Sequence, residues 1–239
     1  MSQPSENMGA EDFAGNKFVN QIYLLILLVV LALAYISFYT DPSHFAQFIG
    51  DLNPLLAISI TGLLGLMIHV FCLRSFGFSI LKSGRFTKSL RYAWLVILFA
   101  IVAILVDWKI TLPIDINIPF PDSLLFYPAI AFMVELVFHV IPLAMALMLA
   151  NRIFKNIDEE KVTFGCILLV AIIEPTFQIL MDSYPIGALI VTWLNILLFN
   201  LTQLFIYKRY GFIPMYCSRL IYYSIWHIAW GYFRLDILF

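Results

Sequence analysis

The stretch VNQIYLLILLVVLALAYISFY, residues 19–39, decides the fold class, because it is an apolar run that carries no charged residue. A helix needs about 20 predominantly apolar residues to cross the hydrocarbon core of a bilayer. In lipid the backbone must hydrogen-bond to itself, so such a run forms a helix. The residues before it include Glu6, Glu11 and Asp12 rather than a basic segment, and no small-residue cleavage site follows. The stretch therefore predicts a transmembrane helix and not a cleaved signal peptide.

Further runs of the same kind fill the rest of the chain. Together they predict an all-α fold, a polytopic membrane bundle of about seven helices in one domain over 19–239. Residues 1–18 are polar and are predicted to form a disordered cytoplasmic tail. The remaining predicted spans are 53–73, 92–112, 124–150, 162–181, 186–207 and 212–235.

The composition supports a membrane protein. Of the 239 residues, 62% are hydrophobic and 12% are charged, whereas soluble domains carry about 25% charged residues. The net charge of -1 implies no attraction to nucleic acid. Three widely spaced cysteines, Cys72, Cys166 and Cys217, predict neither a disulfide framework nor a zinc ribbon.

The basic residues predict the orientation. Eleven of the fourteen lie before the first span or in the loops 74–91, 151–161 and 208–211, whereas the alternate loops carry mainly aspartates. Lysine and arginine accumulate in cytoplasmic loops. The pattern therefore predicts a cytoplasmic N-terminus, and we expect the chain to reside in a plasma or inner membrane with membrane lipid around it.

Polar residues inside the predicted spans are the candidates for function, since charges in the bilayer are costly and usually face the bundle interior. Glu135 and His139 lie four residues apart, and Glu174 and Gln178 repeat this spacing, so each pair shares one helix face. Counting 1.5 Å per residue from the outer end of each span places Glu135, Glu174 and His227 at a similar depth, about 10–17 Å. Arg219 is expected nearer the cytoplasmic side. Further polar residues expected to bind substrate or to support the site are Gln178, Asn200, Gln203, Arg219 and Tyr223.

Two chemistries fit these residue types. Glu135, His139, Glu174 and His227 are ligand types for zinc, which would activate a water molecule. Without a metal, a buried glutamate is a candidate general base that a histidine orients. A third interpretation is that the same pairs only hold helices together through interhelical hydrogen bonds.

Two motifs and the last span resemble the CPBP family, the CAAX-processing and bacteriocin-processing membrane proteins. VELVFH, 134–139, stands in the frame of the family motif EExxxR, with Glu135 at the second glutamate, Val134 at the first and His139 at the arginine. IEPTFQ, 173–178, stands where FxxxH is expected, with Glu174 and Gln178 at the two fixed positions. YKRYGFIPMYCSRLIYYSIWHIAWG, 207–231, is similar to the final segment, with His227 later than the family's histidine.

The resemblance covers about residues 120–235 and implies a glutamic or metal-dependent intramembrane endopeptidase, or a bacteriocin-immunity protein. We therefore expect an intramembrane peptidase whose site is rebuilt from Glu135, His139, Glu174 and His227 and acts on a membrane-associated peptide or protein. The alternatives are a non-catalytic immunity or assembly factor and a small proton-linked transporter. No inverted repeat supports the transporter.

Overall fold

The computed structural model describes residues 6–82, 84–181 and 185–239, and these residues form helices without a strand. The predicted all-α membrane bundle is confirmed. Bounds of the α-helices are α1 Glu6–Thr40, α2 Ser43–Ile49, α3 Pro54–Phe71, α4 Phe86–Ser89, α5 Ala93–Ile110, α6 Ser123–Val134, α7 Ile141–Ile153, α8 Glu159–Ala171, α9 Ile173–Met181, α10 Ile186–Tyr210, α11 Phe212–Tyr223 and α12 Gly231–Leu238. Single π-helical segments, Glu135–Val140 and Ser224–Trp230, join α6 to α7 and α11 to α12.

Six helical stretches of the described chain are long and apolar enough to cross a membrane. The seventh predicted span is a continuous helical stretch, Phe212–Leu238, but it falls outside this group. Six rather than seven stretches thus meet the criterion of length and composition. They are Lys17–Thr40, Pro54–Phe71, Phe86–Ile110, Ser123–Ile153, Glu159–Leu180 and Ile186–Tyr210.

Helix α1 extends further toward the N-terminus than its apolar run. It begins at Glu6, so residues 6–18 are helical where the sequence predicted a disordered tail, and residues 1–5 lie outside the described part. Adding residues to an existing helix avoids the cost of a new nucleus, which explains why the polar segment continues the span.

The interior of the bundle lies around α6 and α11. Of the 18 consecutive residues that are most apolar in the span Ser123–Ile153, 61% are buried. In the other five spans the corresponding share is 22–39%. Helix α11 packs against α5, α6 and α10. The helices α1, α3 and α5 instead leave leucines exposed, among them Leu25, Leu28 and Leu63, as lipid-facing surfaces do. Helix α11 is thus enclosed by the apolar helices around it.

The turn between α10 and α11 is held by a distant extended segment. The amides of Phe212 and Ile213 donate to the carbonyls of Ser79 and Ile80, both at 3.0 Å. These bonds satisfy two free amides at the N-terminus of α11. Gly211 has φ +112° and leaves no room for a side chain, since a Cβ would lie 2.8 Å from the Ile80 carbonyl oxygen.

Positive charge collects at this end of the bundle. The Lys82 ammonium donates to the Lys208 carbonyl at 2.7 Å, and the Lys208 ammonium donates to the Phe76 carbonyl at 2.6 Å. Partial burial, with the neighbouring charges of Lys208 and Arg85, lowers the pKa of Lys82. The loop 74–91 and the turn 208–211 therefore lie together, as the alternation of charge predicted.

Candidate functional site

Glu135 and His139 form a hydrogen-bonded pair on a π-helical turn. His139 Nδ1 lies 2.6 Å from Glu135 Oε2, so the predicted face-sharing is confirmed. Because the ionised carboxylate only accepts, Nδ1 carries the proton and Nε2 bears the lone pair in the neutral ring. Pro142 follows this turn and has no N–H to bond back to residue 138, which explains why the register shifts there. Such π-turns occur often at functional sites.

Glu174 lies opposite this pair. It sits in the first turn of α9, where the positive end of the helix dipole favours a carboxylate. Its Oε2 is 3.8 Å from His139 Nε2. Gln178 Nε2 donates to Glu174 Oε1 at 3.2 Å, which confirms the second predicted pair. His139 therefore stands between two carboxylates.

Arg219 joins both glutamates through its planar guanidinium. Nε donates to Glu135 Oε1 at 2.6 Å, and Nη1 and Nη2 donate to the two oxygens of Glu174, each at 2.8 Å. Nη2 also donates to Gln203 Oε1 at 2.9 Å, and Nη1 reaches the Tyr223 hydroxyl at 3.5 Å. All five guanidinium donors are therefore used. Arg219, expected nearer the cytoplasmic side, thus reaches both glutamates with its long side chain.

Two amide side chains complete the surroundings. Gln203 Nε2 donates to Glu135 Oε1, so this residue links the arginine to the glutamate. Asn200 Nδ2 donates to the Ala171 carbonyl at 3.3 Å. Since Pro175 has no N–H to offer that carbonyl, Asn200 replaces the missing helix bond. Asn200 thus supports the break before α9 rather than the charged groups directly.

We call Glu135, His139, Glu174, Gln203 and Arg219 the charged cluster. Each is at most 2% exposed. With His139 neutral the cluster carries one net negative charge, and with one added proton it is neutral. A net charge is expensive inside a membrane, so the hydrogen bonds among these side chains are what hold the charges there.

His227 does not join the charged cluster. Its Nδ1 lies 2.6 Å from Asn117 Oδ1, and its ring stacks on Tyr127 with a centroid distance of 4.5 Å. Among the described residues it makes no hydrogen bond to either glutamate. The predicted meeting of four ionisable residues is therefore correct for three and wrong for His227. Equal depth along straight spans does not fix the direction in which each side chain points.

The predicted zinc site is not assembled either. Over the described residues, no three His, Cys, Asp or Glu side chains are arranged to hold a metal ion. The guanidinium of Arg219 occupies the place between Glu135 and Glu174 that a cation would take. Glu135, His139, Glu174 and His227 therefore do not fit a common zinc ion.

A second buried ion pair was not singled out in the sequence. Asp107 accepts from Arg234 Nε at 2.7 Å and from Trp230 Nε1 at 2.6 Å, and both charged residues are 0% exposed. Arg234 also donates to the carbonyls of Leu112 and Pro113. The available signal was an aspartate inside the apolar run 92–112. This pair ties the last helix to α5 and the following loop.

Fold and site together define the class of this protein, an integral membrane helical bundle with a buried cluster of charged and amide side chains. Comparison with protein-family models, with curated proteins and with solved structures finds no match to the chain.

Proposed function

We propose that this chain is an intramembrane peptidase of the CPBP type, in which Glu135 and His139 act together as the general base. The supporting observation is the geometry of His139. One ring nitrogen is bound to Glu135, and the other, Nε2, is buried without a hydrogen-bond partner among the described residues. A buried polar atom of this kind calls for a partner. In the proposal that partner is the attacking water.

The chemistry follows from the charges. His139 Nε2 takes a proton from water while the water oxygen bonds to the peptide carbonyl carbon. The same proton passes to the leaving amine when the carbon–nitrogen bond breaks. Proton uptake by His139 takes the charged cluster from one net negative charge to neutrality, so the protonated intermediate adds no net charge inside the membrane. Glu135 fixes the tautomer and stabilises the protonated ring, as a carboxylate does in other histidine-based sites.

Arg219 positions the two glutamates in this scheme. Its donors are already used, so it holds Glu135 and Glu174 in place rather than contacting substrate. Glu174, 3.8 Å from His139 Nε2, is close enough to bind the same water from a second side. Gln203 donates a hydrogen bond to Glu135, and Gln178 donates one to Glu174, so each carboxylate is also held by an amide side chain.

The test is turnover of a fluorogenic apolar peptide in liposomes that contain the purified protein. Glu135→Gln and His139→Gln are expected to reduce turnover at least 100-fold, within the range of general-base catalysis. His69→Gln is the matched control, because His69 is equally buried but bonds to Tyr207 and Gly65 instead. Full turnover in both folded cluster variants would exclude the proposed base.

A non-catalytic membrane protein, such as an immunity or assembly factor, is the second candidate. The observation that favours it is the complete use of the Arg219 donors within a fully enclosed cluster, since such a network also serves as an interhelical link. It predicts that the wild type has no turnover and that the same variants change only stability. A proton-linked transporter is the third candidate, and proton flux in liposomes that is lost in Glu174→Gln would support it.

The location is also a proposal. We propose a plasma or inner membrane, and the basic residues at one end of the bundle support a cytoplasmic N-terminus. A membrane-associated peptide would be the substrate, and no nucleic acid is expected to bind.

A further inference from the structure

The Asn117–His227 pair lies away from the charged cluster, at the predicted outer end of the last helix. The Ile118 amide donates to the Tyr127 hydroxyl at 2.9 Å, so that hydroxyl directs its own proton to Asn117 Oδ1 at 3.4 Å. The same oxygen lies 2.6 Å from His227 Nδ1. Because an amide oxygen only accepts, Nδ1 of His227 carries a proton, and Nε2 of the neutral ring is an acceptor.

Within the described chain, this network leaves the Asn117 Nδ2 donor and the His227 Nε2 acceptor without a partner. Asn117 is 7% exposed, and its buried Nδ2 has no partner among the described residues. His227 is half-buried, and the hydrogen bond that it makes within the described chain uses Nδ1 and not Nε2. The two groups flank a single hydrogen bond. A ligand that satisfies both must offer an acceptor to Asn117 and a donor to His227.

We infer that the Asn117–His227 pair binds the backbone of an extended peptide, by its C=O and N–H groups. A residue in an extended chain directs both groups to one edge, as in antiparallel pairing. An anion offers only acceptors and would face the lone pair of His227. A simple cation offers no acceptor to Asn117. The rings of Tyr127, Tyr223 and Trp226 around His227, with centroid distances of 4.5, 4.7 and 5.8 Å, provide amphipathic walls for such a chain.

The position of the pair suits a remote subsite of the proposed peptidase, and in this respect the inference rests on that function. His227 lies eight residues beyond Arg219, about 12 Å along the helix. Tyr223 lies between them, with its hydroxyl 3.5 Å from Arg219 Nη1 and its ring beside His227. An extended peptide rises about 3.3 Å per residue. The bound residue would therefore lie about three or four positions from the bond that is cut.

The experiment measures binding directly, without turnover. The full-length protein in detergent micelles is titrated into a dansyl-labelled, amide-capped apolar hexapeptide, and fluorescence anisotropy gives Kd. Asn117→Asp keeps the shape and the bond to His227 but removes the free donor. His227→Phe keeps the ring stacking but removes the acceptor. Each is expected to raise Kd about tenfold, the equivalent of one hydrogen bond of about 1.4 kcal/mol.

Two controls separate this inference from the peptidase. His139→Gln is expected to bind the peptide as the wild type does while losing turnover. Hexapeptides with a backbone ester in place of one amide each lack a single N–H. At one of these positions, we expect the ester to weaken binding to the wild type. Binding of the same ester peptide to His227→Phe is expected to equal that of the all-amide peptide. Thermal unfolding shows that each variant is folded.

The outcomes are distinct. No measurable binding by the wild type, or an unchanged Kd in both Asn117→Asp and His227→Phe, would overturn the inference. Binding that depends on Asn117 and His227 in a protein with no turnover would support the peptide site and reject the peptidase. Turnover by the wild type, with an equal Kd in the wild type and in both variants of the pair, would support the peptidase and reject the subsite.

Discussion

Replacing Arg219 by methionine is expected to lower the free energy of unfolding by about 3–5 kcal/mol. The side chain is 1% exposed and supplies five hydrogen bonds, three of them to the carboxylates of Glu135 and Glu174. Removing one partner of a buried ion pair leaves an uncompensated charge, and measured costs are about 3–5 kcal/mol. With His139 neutral, the variant would leave two net negative charges in the cluster.

Two companion variants separate charge from hydrogen bonding. Arg219→Lys keeps the charge but has only three donors, so at least two bonds are lost. At about 0.6 kcal/mol per bond in a membrane protein, this predicts a loss of about 1–2 kcal/mol. Adding Glu174→Gln to Arg219→Met restores the original net charge and is expected to recover part of the lost stability.

The assay is reversible unfolding in mixed detergent micelles, followed by far-ultraviolet circular dichroism at increasing fractions of dodecyl sulfate. An equal slope of the free energy of unfolding against the dodecyl sulfate fraction in all variants would show that the same structure unfolds. A loss below about 1 kcal/mol for Arg219→Met, or no recovery in the double variant, would refute the claim that Arg219 neutralises the two glutamates.

Three further variants test other parts of the bundle in the same assay. Arg234→Met is expected to cost about 3–5 kcal/mol by leaving a buried aspartate unpaired, with peptide turnover per folded molecule unchanged; a loss below 1 kcal/mol would contradict this. Gly211→Ala is expected to cost about 1–3 kcal/mol, because its φ is +112° and a Cβ would press on the Ile80 carbonyl; an unchanged midpoint would show that the turn adapts freely. Tyr207→Phe removes the hydroxyl 2.6 Å from His69 Nε2 and is expected to cost about 1 kcal/mol, and greater stability would contradict this bond.

Local patterns predicted much of the helical architecture and two side-chain pairs of the site. The six most apolar spans were found close to their observed bounds, because hydropathy along a helix is a local property. The pairs Glu135–His139 and Glu174–Gln178 followed from four-residue spacing. The substrate-binding, catalytic and metal-binding roles of these residues stay predictions.

Contacts between distant helices were beyond the same reasoning. The depth count assumed straight, regular helices, whereas π-turns at Glu135–Val140 and Ser224–Trp230 shift the register. It also gave no means of telling how far the long side chain of Arg219 extends, and that side chain reaches two other helices. Asp107 and Arg234 were missed because their partnership spans 127 positions and has no sequence signature.

The order of the ion-pair partners along the chain has a consequence for biogenesis. The buried acids Asp107, Glu135 and Glu174 all precede the arginines that neutralise them, Arg219 and Arg234. During synthesis, the earlier spans therefore enter the bilayer before the arginines that neutralise their carboxylates exist. The last helix carries both arginines and gains its electrostatic partners only from spans already inserted. We therefore expect its docking to be the step that neutralises the three buried acids and closes the bundle.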